Sequence, residues 1–262
     1  MKGLMQMKQT IRKAAGKAML ASLALAGALG LSTAAKAQST IFNIPTTDVV
    51  SPKKGYFEFD YLVQAPATEG STRAQVVAPR IVVGGPKGLE VGANFFTYHY
   101  GEDANYVYFQ PNAKYRFFAN DDSGWAASAG IIGYLPVNHM SSSDVYDRYA
   151  MVYGNVSKKV KTGNYGPRIT VGPYGIVGAE DYYYGTKAGV IVGYEQPVAA
   201  KVSIVADWFS GVSGFGYFTP GISITMPKNG LLNIGYSIGN DSYKDPGNNN
   251  RYFFAYYGIT FP

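Results

Sequence analysis

From Lys53 to the end, the chain alternates apolar and polar residues in segments of about ten to thirteen residues, broken by turn residues. A period of two marks an extended strand with two unlike faces. Twelve strands are predicted, at 54–64, 74–84, 88–98, 106–118, 125–135, 148–158, 167–178, 187–196, 201–210, 215–226, 230–239 and 251–261. In the first, Phe57, Phe59, Tyr61 and Val63 share one face, and Glu58, Asp60, Leu62 and Gln64 share the other. Val107 to Phe117 and Lys201 to Trp208 repeat the pattern, and no stretch of this region offers a long helical period with caps.

Two-faced strands fit a soluble sandwich, with the apolar face as core, or a membrane barrel, with the apolar face on lipid and the polar face on the lumen. The barrel is favoured. Segments this long suit a tilted membrane-crossing strand, about 9–11 residues, better than the soluble average of about five or six. The polar face is rich in Gly, Ser and Asn, and Tyr and Phe gather near strand ends, as at Tyr98, Tyr100 and Tyr106. The loops alternate as well. The short set is 84–88, 120–124, 196–200 and 227–230, joined by the somewhat longer 159–166. The other set, 65–73, 99–105, 137–147, 179–186, 211–214 and 240–250, is generally more polar and acidic. An even strand count puts both termini with the short turns, which face the periplasm in bacterial outer-membrane barrels. The long-loop acids (Glu69, Glu102, Asp103, Asp144, Asp147, Glu180, Asp181, Asp241 and Asp245) read as solvated charge or as divalent-cation bridges to lipopolysaccharide. Pro79, Pro111, Pro173 and Pro220 sit on the apolar face inside predicted strands, where each removes a ladder donor; bulges are expected there.

The N-terminal stretch has a different character. Basic residues from Lys2 to Lys17 precede an apolar run from Ala18 to Leu31, and Ala35-Lys36-Ala37 ends in the small residues of a signal-peptidase site. Residues 1–37 are therefore predicted to be a cleaved secretory signal peptide, leaving 38–52 as a periplasmic lead-in, available to plug or tether, and 53–262 as the barrel. The formal net charge of +6 lies wholly in this leader, which has six basic residues and no acid; 17 basic and 17 acidic residues follow it. Without a basic surface, nucleic acid is not expected as a partner. The chain has no Cys, which excludes a lipid anchor on Cys, disulfides and thiolate metal sites.

The final segment, Arg251-Tyr-Phe-Phe-Ala-Tyr-Tyr-Gly-Ile-Thr-Phe261, resembles the C-terminal signal of bacterial outer-membrane β-barrels, an alternating strand closing on an aromatic residue; here Pro262 follows it. More loosely, the chain from about residue 53 resembles small, poorly characterised barrels of the transporter or porin-like kind. That resemblance implies an all-β, closed antiparallel transmembrane barrel in the bacterial outer membrane. It further implies contact with outer-membrane lipid and lipopolysaccharide, delivery by the barrel assembly machinery through strand 251–261, and no cofactor.

Charges at strand depth must point inward, because a base facing lipid near midplane costs about 2–4 kcal/mol and an acid somewhat less. The candidates for the lumen are Glu58, Asp60, Arg80, Glu90, Lys114, Arg116, Arg168, Lys187 and Asp207. Mixed signs there predict groups paired across the lumen. They would form either a constriction that selects among small solutes or a salt-bridge network that fills a narrow barrel. The first makes the chain a channel for passive passage of small solutes; the second makes it a closed structural or surface-interaction barrel acting through its Tyr-rich loops. Some twelve-stranded barrels are phospholipases with a strand-borne His-x-Ser. His139-Met140-Ser141 has the spacing for a general base and nucleophile. It lies between Pro136 and Ser142-Ser143-Asp144 in a loop-like stretch, and the family's Asn partner has no clear place although Asn138 is adjacent. No enzyme is expected. His99, with Glu102 and Asp103, lacks the second His or Cys of a metal site.

Overall fold

The computed structural model describes residues 39–66, 72–101, 104–138, 148–160, 165–178, 185–243 and 249–262. The leader, His139-Met140-Ser141 and most of the long-loop acids (Glu69, Glu102, Asp103, Asp144, Asp147, Glu180, Asp181 and Asp245) lie outside the described residues.

Twelve strands follow in order: β1 (Gly55–Gln64), β2 (Gln75–Gly84), β3 (Leu89–Tyr100), β4 (Ala104–Asn120), β5 (Trp125–Pro136), β6 (Tyr149–Lys159), β7 (Arg168–Val177), β8 (Ala188–Ala199), β9 (Val202–Phe209), β10 (Tyr217–Met226), β11 (Gly230–Gly239) and β12 (Arg251–Phe261). Each pairs antiparallel with its chain neighbours, and β1 pairs with β12 from Gly55–Phe261 to Gln64–Tyr252, which closes the barrel. No helix among the described residues is long and apolar enough to cross a membrane.

The alternation read from the sequence sets the two surfaces. Phe57, Phe59, Ile81, Ile131, Val190 and Ile204 are exposed on the outer face, while Glu58, Val82, Ile191, Ser203 and Val205 are buried inside. Phe59 is 44% exposed and the adjacent Glu58 0%, an inversion of the soluble pattern: the apolar band is outside and the charge within.

The expectation of bulges at the four prolines is corrected. At each, one of the two ladders lapses while its register carries through. Opposite β3, for example, β2 passes from Val77–Thr97 to Arg80–Asn94 without a shift. Pro79 still pairs with Phe59, Pro111 with Ala93, Pro173 with Val190 and Pro220 with Ala206. A residue in an antiparallel ladder directs its N–H to one neighbour only, so a missing donor opens one side and leaves the other intact. Register shifts fall instead between Arg116 and Phe118, and between Pro197 and Ala199.

Residues 39–50 lie inside the barrel. They begin as a tight reversal in which Ile41 N–H donates to the Ile44 carbonyl at 2.9 Å and Thr46 N–H to the Ser39 carbonyl at 3.0 Å. Ile41, Phe42 and Ile44 join inward residues of the wall, among them Met151, Ile191, Val205 and Phe254, in one buried cluster. Val50 packs with Tyr56 and Val82 in a second. The chain leaves past Gly84, where Pro52 forms a bridge. A Cβ on Gly84 would lie 2.1 Å from the Ser51 carbonyl oxygen, so only glycine permits this approach.

Candidate functional site

The inward charges are arranged around residues 39–50. Their opposed signs meet between adjacent strands: Glu58 stands opposite Arg80, Glu90 opposite Lys114 and Arg168 opposite Glu195 in the ladder register. All three are ion pairs, with Lys114 Nζ 3.4 Å from Glu90 Oε1. The expectation of pairing across the lumen is therefore corrected. A cross-strand neighbour is only about 5 Å away, whereas the far wall is separated by the enclosed chain.

Part of the remaining hydrogen-bonding capacity of the lumen charges goes to residues 39–50. Lys114 Nζ donates to the Ser39 carbonyl at 2.7 Å, and Glu90 Oε2 accepts the Val50 N–H at 2.7 Å. Arg80 donates to Thr40 Oγ1 at 3.0 Å. Asp207 Oδ2 accepts two backbone N–H groups, from Asn43 at 2.6 Å and Ile44 at 3.1 Å. Arg168 bridges Asp48 and Glu195. Neutral groups complete the grip: Asn155 Nδ2 reaches the Pro45 carbonyl at 2.5 Å, Ser128 Oγ the Thr46 carbonyl at 3.3 Å, and Asn43 Nδ2 reaches Thr219 Oγ1 at 3.0 Å. Thr47 Oγ1 donates to Ser157 Oγ at 2.8 Å. Buried backbone needs its donors and acceptors met, and here β2, β3, β4, β5, β6, β7, β9 and β10 supply groups that meet them or the adjoining side chains.

Asp48 shows the electrostatic consequence. Burial alone would push its carboxyl up, but Arg168, with Lys114 and Arg116 beyond it, holds it below the ordinary carboxylate value.

Of the predicted lumen residues, Glu58, Arg80, Glu90, Lys114, Arg168 and Asp207 form this lining. Arg116 is half-buried beside it. Asp60 is set apart, lining a cavity of about 520 Å³ beyond the Asn43 tip. Lys187 lies just ahead of β8 and is exposed at the strand end rather than among these groups, although its carbonyl still accepts the Ile176 N–H at 2.7 Å. Sequence reasoning missed Tyr56, whose hydroxyl donates to Glu58 Oε2 at 2.5 Å, and the neutral Ser128, Asn155, Ser157 and Thr219. Tyr56 shares its face with Glu58, a signal already in the alternation. Among the described residues, no three His, Cys, Asp or Glu side chains cluster as a metal site.

No protein-family model matches this sequence, and no curated protein matches it.

Proposed function

We propose that the chain is a bacterial outer-membrane barrel whose lumen is held shut by its own residues 39–50, and that small solutes pass when this segment is released. The observation that carries the reading is the polarity of the lining. Lumen carboxylates take backbone N–H groups and lumen cations take carbonyl or hydroxyl oxygens of one enclosed peptide. Mixed charge in the wall thus holds a gate, and becomes a selective surface for solutes once the gate leaves. The apolar outer band supports placement in a bilayer. The short turns face the periplasm in this reading, so the segment closes the periplasmic half of the lumen. Removal of the leader before Gln38 makes the gate the start of the mature chain. Strand β12 serves as the signal to the assembly machinery, and lipid and lipopolysaccharide surround the wall.

Planar-bilayer recordings test this directly. Mature protein, residues 38–262, is compared with a form lacking residues 39–50, each first shown to migrate as a compact, heat-modifiable species. The intact protein is expected to be closed for most of the record and the shortened form to show discrete, lasting steps. Equal conductance from both removes the gating role. Silence from a correctly folded shortened barrel supports instead a closed structural barrel acting through its external loops.

A further inference from the structure

The cavity beyond the gate has a composition of its own. Its floor is formed by Thr40 and Asn43 of the enclosed segment together with Asp60 and Arg80, and its walls are rich in tyrosine, Tyr134, Tyr217 and Tyr252 among them. A volume of about 520 Å³ lies within the range of small-molecule sites, about 300–1,000 Å³. The rings are already held. Tyr134 stacks on Tyr149 at 4.6 Å between centroids, Phe215 meets Tyr134 edge-on at 5.2 Å, and Tyr217 meets Tyr252 at 6.2 Å. Such walls present aromatic faces without further ordering, which lowers the entropic cost of binding.

Among the described residues, Asp60 and Arg80 are the only charged side chains lining the cavity. Arg80 is engaged by Glu58 and Thr40, although its Nε has no hydrogen-bond partner. Asp60 has no such counterpart: its Oδ1 is buried without a hydrogen-bond partner, and it takes part in no ion pair among the described residues. With Arg80 paired to Glu58, Asp60 is the charged-type side chain of the floor left without an ion-pair partner among the described residues. A buried carboxyl oxygen without a partner is costly, and a positive charge placed beside it offsets part of that cost.

We propose that this cavity is a binding site for a small organic cation with an aromatic or apolar body, its charge against Asp60 and its body among the tyrosines. The same walls suit the cation itself, because ring faces attract positive charge and water is largely displaced. Binding is measured on the closed barrel and requires no release of residues 39–50, so it stands apart from the gating reading.

The test uses three probes of nearly one shape and different charge: benzyltrimethylammonium, its neutral isostere neopentylbenzene and the anion phenylmethanesulfonate. Each is titrated calorimetrically into the folded barrel in a nonionic detergent. The cation is expected to bind one to one and at least tenfold more tightly than either of the others. Asp60→Asn should lower its affinity at least tenfold. Ala78→Phe keeps the carboxyl but fills the space opposite Asp60 in the ladder, and it should abolish binding; it carries the test alone should Asp60→Asn fail to give a heat-modifiable barrel. Equal binding of the three probes, absence of cation binding to the folded wild type, or undiminished binding when the cavity is filled would each overturn the proposal.

Discussion

Asp207→Ala is the sharpest probe of how residues 39–50 are held. One carboxylate oxygen accepts both the Asn43 N–H, at 2.6 Å, and the Ile44 N–H, at 3.1 Å. Truncation leaves two buried donors facing a void. A hydrogen bond to a charged group contributes about 1.5–3 kcal/mol, and an orphaned buried donor costs a similar amount. Taking the lower figure for each, because water can enter the space left, gives about 3 kcal/mol. At about 1.4 kcal/mol per factor of ten, the ratio of released to enclosed segment should rise about 100-fold. The absence of Cys from the chain makes this measurable with a single thiol reporter, Thr47→Cys, at a position 1% exposed. When opening and closing are fast relative to reaction, the maleimide labelling rate tracks the open population. The double variant should label about 100-fold faster than Thr47→Cys alone, with strand pairing checked by heat-modifiability. Asp207→Asn, which keeps an oxygen acceptor, should recover most of the protection. A change of less than threefold in a correctly folded barrel would show that Asp207 does not hold the segment.

Two further outcomes follow from the same contacts. Asp48 is held below its ordinary value chiefly by Arg168 against the opposing effect of burial, so its contribution to closure is complete above about pH 4 and is lost as pH falls through the lower folded value; acid-induced opening in bilayer recordings should therefore contain a step that Asp48→Asn lacks, and identical profiles would remove this role. A Cβ on Gly193 would meet Ile41 Cδ1 at 2.2 Å and Ile44 Cδ1 at 2.6 Å; those are side-chain tips that can swing aside, so Gly193→Ala should alter labelling of the Thr47→Cys reporter little. Gly193→Phe overpacks the site by about 1–3 kcal/mol and should raise that labelling about tenfold, whereas protection equal to that of the reporter alone would show that the segment packs elsewhere.

The barrel was legible because a strand pattern is local. Phe57, Phe59 and Tyr61 against Glu58 and Asp60 fix which side faces out without reference to any other strand, and the observed parity agrees. Strand ends were less secure for the same reason. Alternation does not mark where a strand starts or stops: it carries the predicted strand 187–196 to Lys187, whereas β8 begins at Ala188, and it stops short of β4, which runs from Ala104 to Asn120. The enclosed segment was the hidden part. Ser39 to Val50 has Ile41, Phe42, Ile44 and Val50 scattered among Pro45 and the threonines, with neither a period of two nor a helical one to announce an element. Its contacts lie far away in sequence: Asp207 is 164 residues from Asn43, and Asn155 is 110 from Pro45. No local rule links such positions.

One inference was nevertheless within reach of the predicted strands. Twelve strands lie between the roughly eight that side chains just fill and the roughly sixteen that leave a clear aqueous channel, so water for inward charges is limited while the lumen is occupied. Once adjacent strands bring Glu58 beside Arg80 and Glu90 beside Lys114, each pair satisfies its charge but not all of its hydrogen-bonding sites. A guanidinium has five donors and a carboxylate about four acceptor positions. Where water is limited, those remaining sites call for a polar chain that alternates donors and acceptors at close spacing. A polypeptide backbone is such a chain, and the stretch preceding β1 is the one tethered beside the opening. The apolar Ile41, Phe42 and Ile44, otherwise costly to expose to water, then find their place among Met151, Ile191 and Val205. Charge pairing and apolar burial thus select the same occupant from opposite requirements.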